Sequence, residues 1–133
     1  MQIDIDMLLE EYNTLPGDEH LLIQEADTFL YNIPYINNLL EEYNMFHSRV
    51  MRMAPKYCYS WHTDPHVRRH IPIISNDGAF MVVENELIRM PVGGVYTVDT
   101  TRPHTAVNAW KETRVHIVGT ISDENGWIPV PEL

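Results

Sequence analysis

Thr113-Arg-Val-His-Ile-Val-Gly-Thr-Ile121 is the stretch that decides the fold. It is rich in β-branched residues and closes a series of shorter segments of the same kind. Reading back toward the N-terminus, the other strands are Gly94-Val-Tyr-Thr-Val98, Glu86-Leu-Ile-Arg-Met90, Ala79-Phe-Met-Val-Val83, His70-Ile-Pro-Ile-Ile74, Lys56-Tyr-Cys-Tyr-Ser-Trp61 and Val50-Met-Arg-Met53. Turn chemistry separates them: Ala54-Pro55, Ser75-Asn-Asp-Gly78, Asn85, Pro91 with Gly93-Gly94, and Arg102-Pro103. Many short strands after a helical start imply a mainly β sandwich or barrel rather than alternating βαβ units.

Before Arg49 the period is helical. Leu8, Leu9 and Tyr12 recur at helical spacing, and Pro16-Gly17 then forces a turn. In the next segment Asn32 is placed to cap and Pro34 suits the first turn. Ile36, Leu39, Leu40, Tyr43 and Phe46 form one apolar stripe. The expected organisation is a single domain, 1–133, with a helical segment 1–48, a β core 49–121 and a proline-broken tail 122–133 along the surface.

Composition narrows the function classes. Apolar residues make up 44% of the chain, enough for a packed core. The longest apolar runs, such as Gly78-Ala-Phe-Met-Val-Val83, are too short to cross a bilayer, so no membrane partner is expected. The start carries no basic and apolar leader pattern, and a single cysteine, Cys58, suits a reducing compartment; a cytoplasmic protein is expected. Cys58 itself reads as a small buried apolar residue. A net charge of −10 argues against nucleic acid as a partner. The few basic residues gather mid-chain, at Arg49, Arg52, Lys56, Arg68 and Arg69, with Arg89, Arg102 and Arg114 later. They suit either surface ion pairs or a buried anionic ligand.

The seven histidines carry the chemistry. In Trp61-His-Thr-Asp64 an extended backbone turns His62 and Asp64 to the same side, two corners of a facial metal triad. Seven histidines and 19 acids in 133 residues yield about one such pair by chance, so the motif needs company. His104 supplies it from a distant strand, and Arg114 follows ten residues later across the turn Ala109-Trp-Lys-Glu112. An antiparallel return of that length brings Arg114 beside His104, where its planar fork suits the distal carboxylate of 2-oxoglutarate. The expected set is Fe(II) on His62, Asp64 and His104, 2-oxoglutarate on Arg114, and O2 in the remaining position. The rival spacing His62, His66, His70 would stack three imidazoles for zinc on a helix, but Pro65, Pro72 and the β-branched neighbours oppose a helix there. His20 and His47 read as surface or packing residues.

Trp61-His-Thr-Asp64, Arg69-His-Ile-Pro-Ile73 with Ser75-Asn76, Gly93-Gly94, His104-Thr-Ala-Val-Asn108 and Arg114-Val-His-Ile117 occur in an order that resembles one known family. It is the aspartyl/asparaginyl β-hydroxylase-like branch of the Fe(II)/2-oxoglutarate-dependent oxygenases, a branch that also holds some free-proline hydroxylases. The resemblance implies a double-stranded β-helix (a cupin-like jelly roll) with N-terminal helices packed on one face. It implies hydroxylation of an amino acid or peptidyl side chain, with release of succinate and CO2. It adds His70 as a second support for 2-oxoglutarate, with Arg68, His116 and Trp61 as candidates to line the substrate pocket. Tyr57, Tyr59, Met51 and Met53 are further candidate wall residues. Some members of the branch have glycine where this chain has Asp64, so the full triad loosens the tie to their substrates. The short chain leaves little room for substrate-recognising insertions, so the pocket is expected to be open or completed by another subunit. The partner is then a small-molecule or peptide substrate. A cupin-type metal-binding protein or metal-dependent isomerase is the alternative on the same fold.

Overall fold

The computed structural model describes residues 2–121. Two helices, α1 (Ile5–Tyr12) and α2 (Pro34–Glu42), are interleaved with three short strands, β1 (His20–Leu22), β2 (Gln24–Glu25) and β3 (Thr28–Phe29). The rest is strand: β4 (Phe46–Met53), β5 (Tyr57–Cys58), β6 (Arg68–Ile74), β7 (Ala79–Val83), β8 (Glu86–Ile88), β9 (Tyr96–Val98), β10 (His104–Asn108) and β11 (Arg114–Thr120). A five-stranded sheet, β1-β4-β11-β6-β9, faces a four-stranded sheet, β5-β10-β7-β8, and every pairing is antiparallel. This is the expected mainly β jelly roll, with its sheets not closed into a barrel.

The N-terminal segment differs from its helical reading, because β1 pairs with β4 and extends the larger sheet. Alternation of Leu21 (buried) between two more exposed neighbours marks that short strand. The start of α2 differs too. Asn32 does not cap it; Ile33 stands at the N-cap with no side-chain bond. The Glu11 carboxylate on α1 instead accepts from the Tyr35 and Ile36 amides at 2.9 and 2.8 Å, so one helix caps the next. Asp4 caps α1 through the Met7 amide.

Strand β11 is buried along its whole length, because it is central in its sheet and covered on both faces. On the outer face Val115 and Ile117 join Val50, Ile71 and Ile73 beneath Leu8, Ile36, Leu39 and Leu40 of the helices. On the inner face a smaller apolar cluster, including Met53, Met81, Val83, Val98 and Ala106, fills one part of the space between the sheets. Pro72 lacks a ladder donor, and the β11 register shifts between Val115 and His116, opposite it. Cys58 is exposed on the short strand β5, not buried as its residue type suggested. The expected surface tail, 122–133, lies outside the described residues. Among those residues no helix is long and apolar enough to cross a membrane.

Candidate metal and ligand site

An isolated bridge joins His62 to His104, with His62 N–H donating to the His104 carbonyl (3.1 Å) and His104 N–H donating to the His62 carbonyl (3.0 Å). The Asp64 amide donates to the Thr100 carbonyl at 2.8 Å, fixing the loop one turn later. These backbone bonds gather three side chains distant in sequence. One ligand atom from each of His62, Asp64 and His104 lies within 4.8 Å of the others.

The histidine nitrogens are already sorted. His62 Nδ1 lies 2.8 Å from the Ser60 carbonyl and His104 Nδ1 lies 2.9 Å from the Arg102 carbonyl. A carbonyl only accepts, so both protons sit on Nδ1 and both Nε2 lone pairs are left toward Asp64, at 3.9 and 3.3 Å. Arg68 Nε donates to Asp64 Oδ2 at 3.1 Å and keeps the carboxylate aligned. Two imidazole lone pairs and one carboxylate on one side of an open space are a donor set that could hold a divalent transition metal with positions to spare. The His62, His66, His70 alternative fails because residues 61–67 form an irregular connection and His70 lies in β6, so no helix stacks the rings.

The triad opens on a cavity of about 240 Å³ between the two sheets. Arg114 lines it, but not as a strand neighbour of His104. β10 pairs with β5 and β7, β11 with β4 and β6, so the two residues face each other across the sandwich from opposite sheets. Asn108 governs that crossing: its Nδ2 donates to the carbonyls of Met53, Ala54 and Glu112, and its Oδ1 accepts from the Trp110 amide. Arg114 is 3% exposed, and its Nε has no hydrogen-bond partner among the described residues. Burial pulls its pKa down to about 10, with the Tyr59 phenol opposing the shift. The Tyr59 hydroxyl is also buried and unpartnered, and burial pushes its pKa up. An unpaired guanidinium and an unpaired hydroxyl in one cavity are an anion site in waiting.

His70 also reaches the cavity, and His116 stands behind it. Their Nδ1 atoms are 3.0 Å apart with the rings edge-to-face. Burial, then the nearby Arg114, takes His70 down to about 3 and His116 well below its ordinary value, so both rings are neutral. One proton therefore sits between the two Nδ1 atoms. His116 is thus not a wall of the substrate pocket, because His70 covers it. Trp61 is not one either: it is 56% exposed, because the His62 bridge turns its neighbour outward. Arg68, Met51 and Tyr59 do line the cavity, whereas Met53 sits in the inner apolar cluster and Tyr57 is exposed. The sequence reading missed Met81, Thr100 and the placement of Arg49, all of which line it. Alternation could have found Arg49, since it shares a strand face with Met51 and Met53. Arg52, on the other face of β4, instead bonds the Tyr12 hydroxyl.

Among solved structures, the fold is similar to that of a cupin domain. A cupin-2 domain-containing protein from Shewanella frigidimarina aligns over 85% of this chain and 91% of that one, with a TM-score of 0.51 and 10% identity. At that identity the likeness speaks for the fold alone. The sequence is more specific: residues 9–122 match the family described as Aspartyl/Asparaginyl beta-hydroxylase, and the chain belongs to that family. Among its relatives is the L-proline cis-4-hydroxylase of Rhizobium meliloti (strain 1021), 25% identical over 97 residues, which are 65% of this chain and 35% of that protein. The chain thus matches about a third of the length of that relative.

Proposed function

We propose that this chain is an Fe(II)- and 2-oxoglutarate-dependent dioxygenase that hydroxylates an unactivated C–H bond of an amino acid, free or in a peptide. The observation that carries the reading is the pairing of two features across one cavity. The His62–Asp64–His104 cluster lies on one side, and the buried, unpartnered Arg114 on the other. A metal cluster alone would suit any cupin; a metal cluster facing a spare guanidinium suits a metal with a dicarboxylate.

When bound, Fe(II) with 2-oxoglutarate and O2 supplies the oxidising power for the C–H bond and leaves succinate and CO2. The protein's own contributions can be assigned. His62 and His104 present Nε2, held in that tautomer by the Ser60 and Arg102 carbonyls. Asp64 offers one carboxylate oxygen while Arg68 holds the group from the side. Arg114 would receive the distal carboxylate, helped by the Tyr59 hydroxyl. His116 donating its Nδ1 proton to His70 would leave His70 with Nε2–H, a donor toward a bound carboxylate; the opposite arrangement would strand a buried N–H on His116.

The test is succinate release from Fe(II)-loaded protein with 2-oxoglutarate, screened across free amino acids, L-proline first, and short peptides. Release that needs Fe(II), 2-oxoglutarate and one substrate supports the reading. Tight metal binding with no 2-oxoglutarate binding would leave a cupin-type metal protein instead.

A further inference from the structure

The cavity between the sheets is open at one end and shut at the other. At the His62–Asp64–His104 cluster the His62 side chain is 44% exposed, whereas Arg114 is 3% exposed. Arg68, which touches Asp64, pairs with Thr120, six residues along β11 from Arg114. The two ends are therefore roughly 20 Å apart at strand spacings. On the proposed function a substrate at the cluster occupies the open mouth, and the cosubstrate lies behind it. The cosubstrate is consumed in every round, so succinate must leave past the substrate or by another way.

A second pocket lies behind Arg114. It holds about 520 Å³ and is lined by Met53 and Thr113, the ladder partner and the chain neighbour of Arg114. One residue, Tyr59, lines both spaces. Its backbone is fixed: its N–H donates to the Ala106 carbonyl at 3.0 Å, and its carbonyl accepts from the Thr105 hydroxyl. Its side chain has no such anchor. Among the described residues the buried hydroxyl has no hydrogen-bond partner. The neighbouring ring on the outer side, Tyr57, meets it edge-on at 5.5 Å and is itself exposed. Turning the Tyr59 ring outward would hydrate its hydroxyl. Packing alone holds the ring shut until a ligand on Arg114 gives the hydroxyl a partner.

Charge suits the passage of a dianion. The chain carries a net charge of −10, yet the outer pocket presents Arg52 against one acid among its described lining residues, Glu19. Arg52 donates to the Pro16 and Asp18 carbonyls and to the Tyr12 hydroxyl. Those partners are neutral, and among the described residues no acidic side chain pairs with it. Its charge therefore remains to draw an anion to this side of an acidic protein. Orientation agrees: with its distal carboxylate bound for Arg114, a dicarboxylate coming past Tyr59 enters keto-acid end first and need not turn round.

We propose that the outer pocket is the port through which small dicarboxylates reach and leave Arg114, with Tyr59 as its door, separate from the mouth that admits the substrate. The inference rests on the proposed dioxygenase reading.

The test compares unmodified, T113W, G17W and Y59A protein. Both tryptophans add a ring at the outer pocket from positions that do not line the cavity. Gly17 has open space where a Cβ would stand, so G17W serves if T113W does not fold. Anaerobic Fe(II)-loaded protein is mixed rapidly with 2-oxoglutarate, and association and dissociation are followed by the absorbance of the complex, without turnover. A plugged port obstructs entry and exit alike. Each tryptophan variant should slow both rates by a common factor of about 10 or more, leaving the dissociation constant within about 2-fold. Y59A, with the door removed, should associate faster than unmodified protein. Unchanged rates in a folded tryptophan variant overturn the proposal, as does a changed dissociation constant carried by the dissociation rate alone, which would mark a disturbed site and not a blocked path. Unchanged association in Y59A removes Tyr59 as the door. If unmodified protein binds no 2-oxoglutarate, the dioxygenase reading itself falls and the port with it, a result distinct from the others.

Discussion

The two faces of the five-stranded sheet are made by the same strands and share almost nothing else. On the helix side, Val50, Ile71, Ile73, Val115 and Ile117 meet Leu8, Ile36 and Leu40 in an apolar cluster. On the cavity side, one residue away in each case, stand Arg49, Met51, His70, Arg114 and His116. Strand alternation lets one segment do both tasks. The helix-covered face supplies the hydrophobic stabilisation that offsets the cost of burying cationic and neutral polar groups on the other. Stability and ligand chemistry are thus separable by single substitutions at adjacent positions.

The strongest break in that symmetry is at the proposed metal cluster. His104→Ala should abolish metal-dependent succinate release. It should cost the metal-free protein only the Nδ1 hydrogen bond, about 1 kcal/mol, so metal content and a urea unfolding curve read the two effects separately. Retained turnover would remove His104 from the site.

Next comes a pair of opposite sign. Ile117→Ala, on the fully buried outer face, should lose about 2–5 kcal/mol of unfolding free energy, with the 2-oxoglutarate affinity of the folded protein unchanged. Arg114→Met should weaken 2-oxoglutarate binding about 30-fold or more. It should leave the ligand-free fold as stable as before or more so, since an unpaired buried cation is removed. If Arg114→Met destabilises as much as Ile117→Ala, the cavity face is a structural core and the contrast fails.

The buried histidines predict a pH dependence. His70 titrates near 3 when folded, against 6.5 when unfolded, and His116 is shifted the same way. Between those values the unfolded chain binds the protons that the folded one refuses, so stability rises with pH. It is complete above about pH 6.5 and is lost as pH falls from there toward 3, with a slope of about 1.4 kcal/mol per pH unit for each histidine. Denaturation midpoints of metal-free protein across this range, with and without His70→Leu and His116→Leu, measure that slope. The smallest effect is at the crossing between sheets. Asn108→Ala strands several backbone partners and should cost about 1–3 kcal/mol, read as a lowered unfolding midpoint.

Much of this was legible in the chain. Alternating short strands and their turns pointed to a sandwich or barrel, the family resemblance narrowed that to the jelly roll, and His62, Asp64, His104 and Arg114 stood out by residue type and order. What the sequence hid was sheet membership. The turn at Ala109–Glu112 reads as a hairpin, but β10 and β11 belong to different sheets, a fact set by the Asn108 bonds and not by local pattern. Arg49 and Arg52 look alike in a basic cluster; only the knowledge of which face meets the cavity separates them. His116 alternates inward as expected, yet His70 stands in front of it. The short strand β1 was hidden because three residues are too few to show a period.

The division of the site between two sheets has one more consequence. Among the described residues no hydrogen-bonded ladder joins the sheets; Asn108 ties them near Arg114, and the Asp64–Arg68 pair ties them near the metal cluster. Whatever grips the ion with one end and a guanidinium with the other becomes a removable crossbeam between two leaves. On the proposed function, loading such a molecule would stiffen the shell and consuming it would let the leaves relax, so each catalytic round would carry its own cycle of tightening and release.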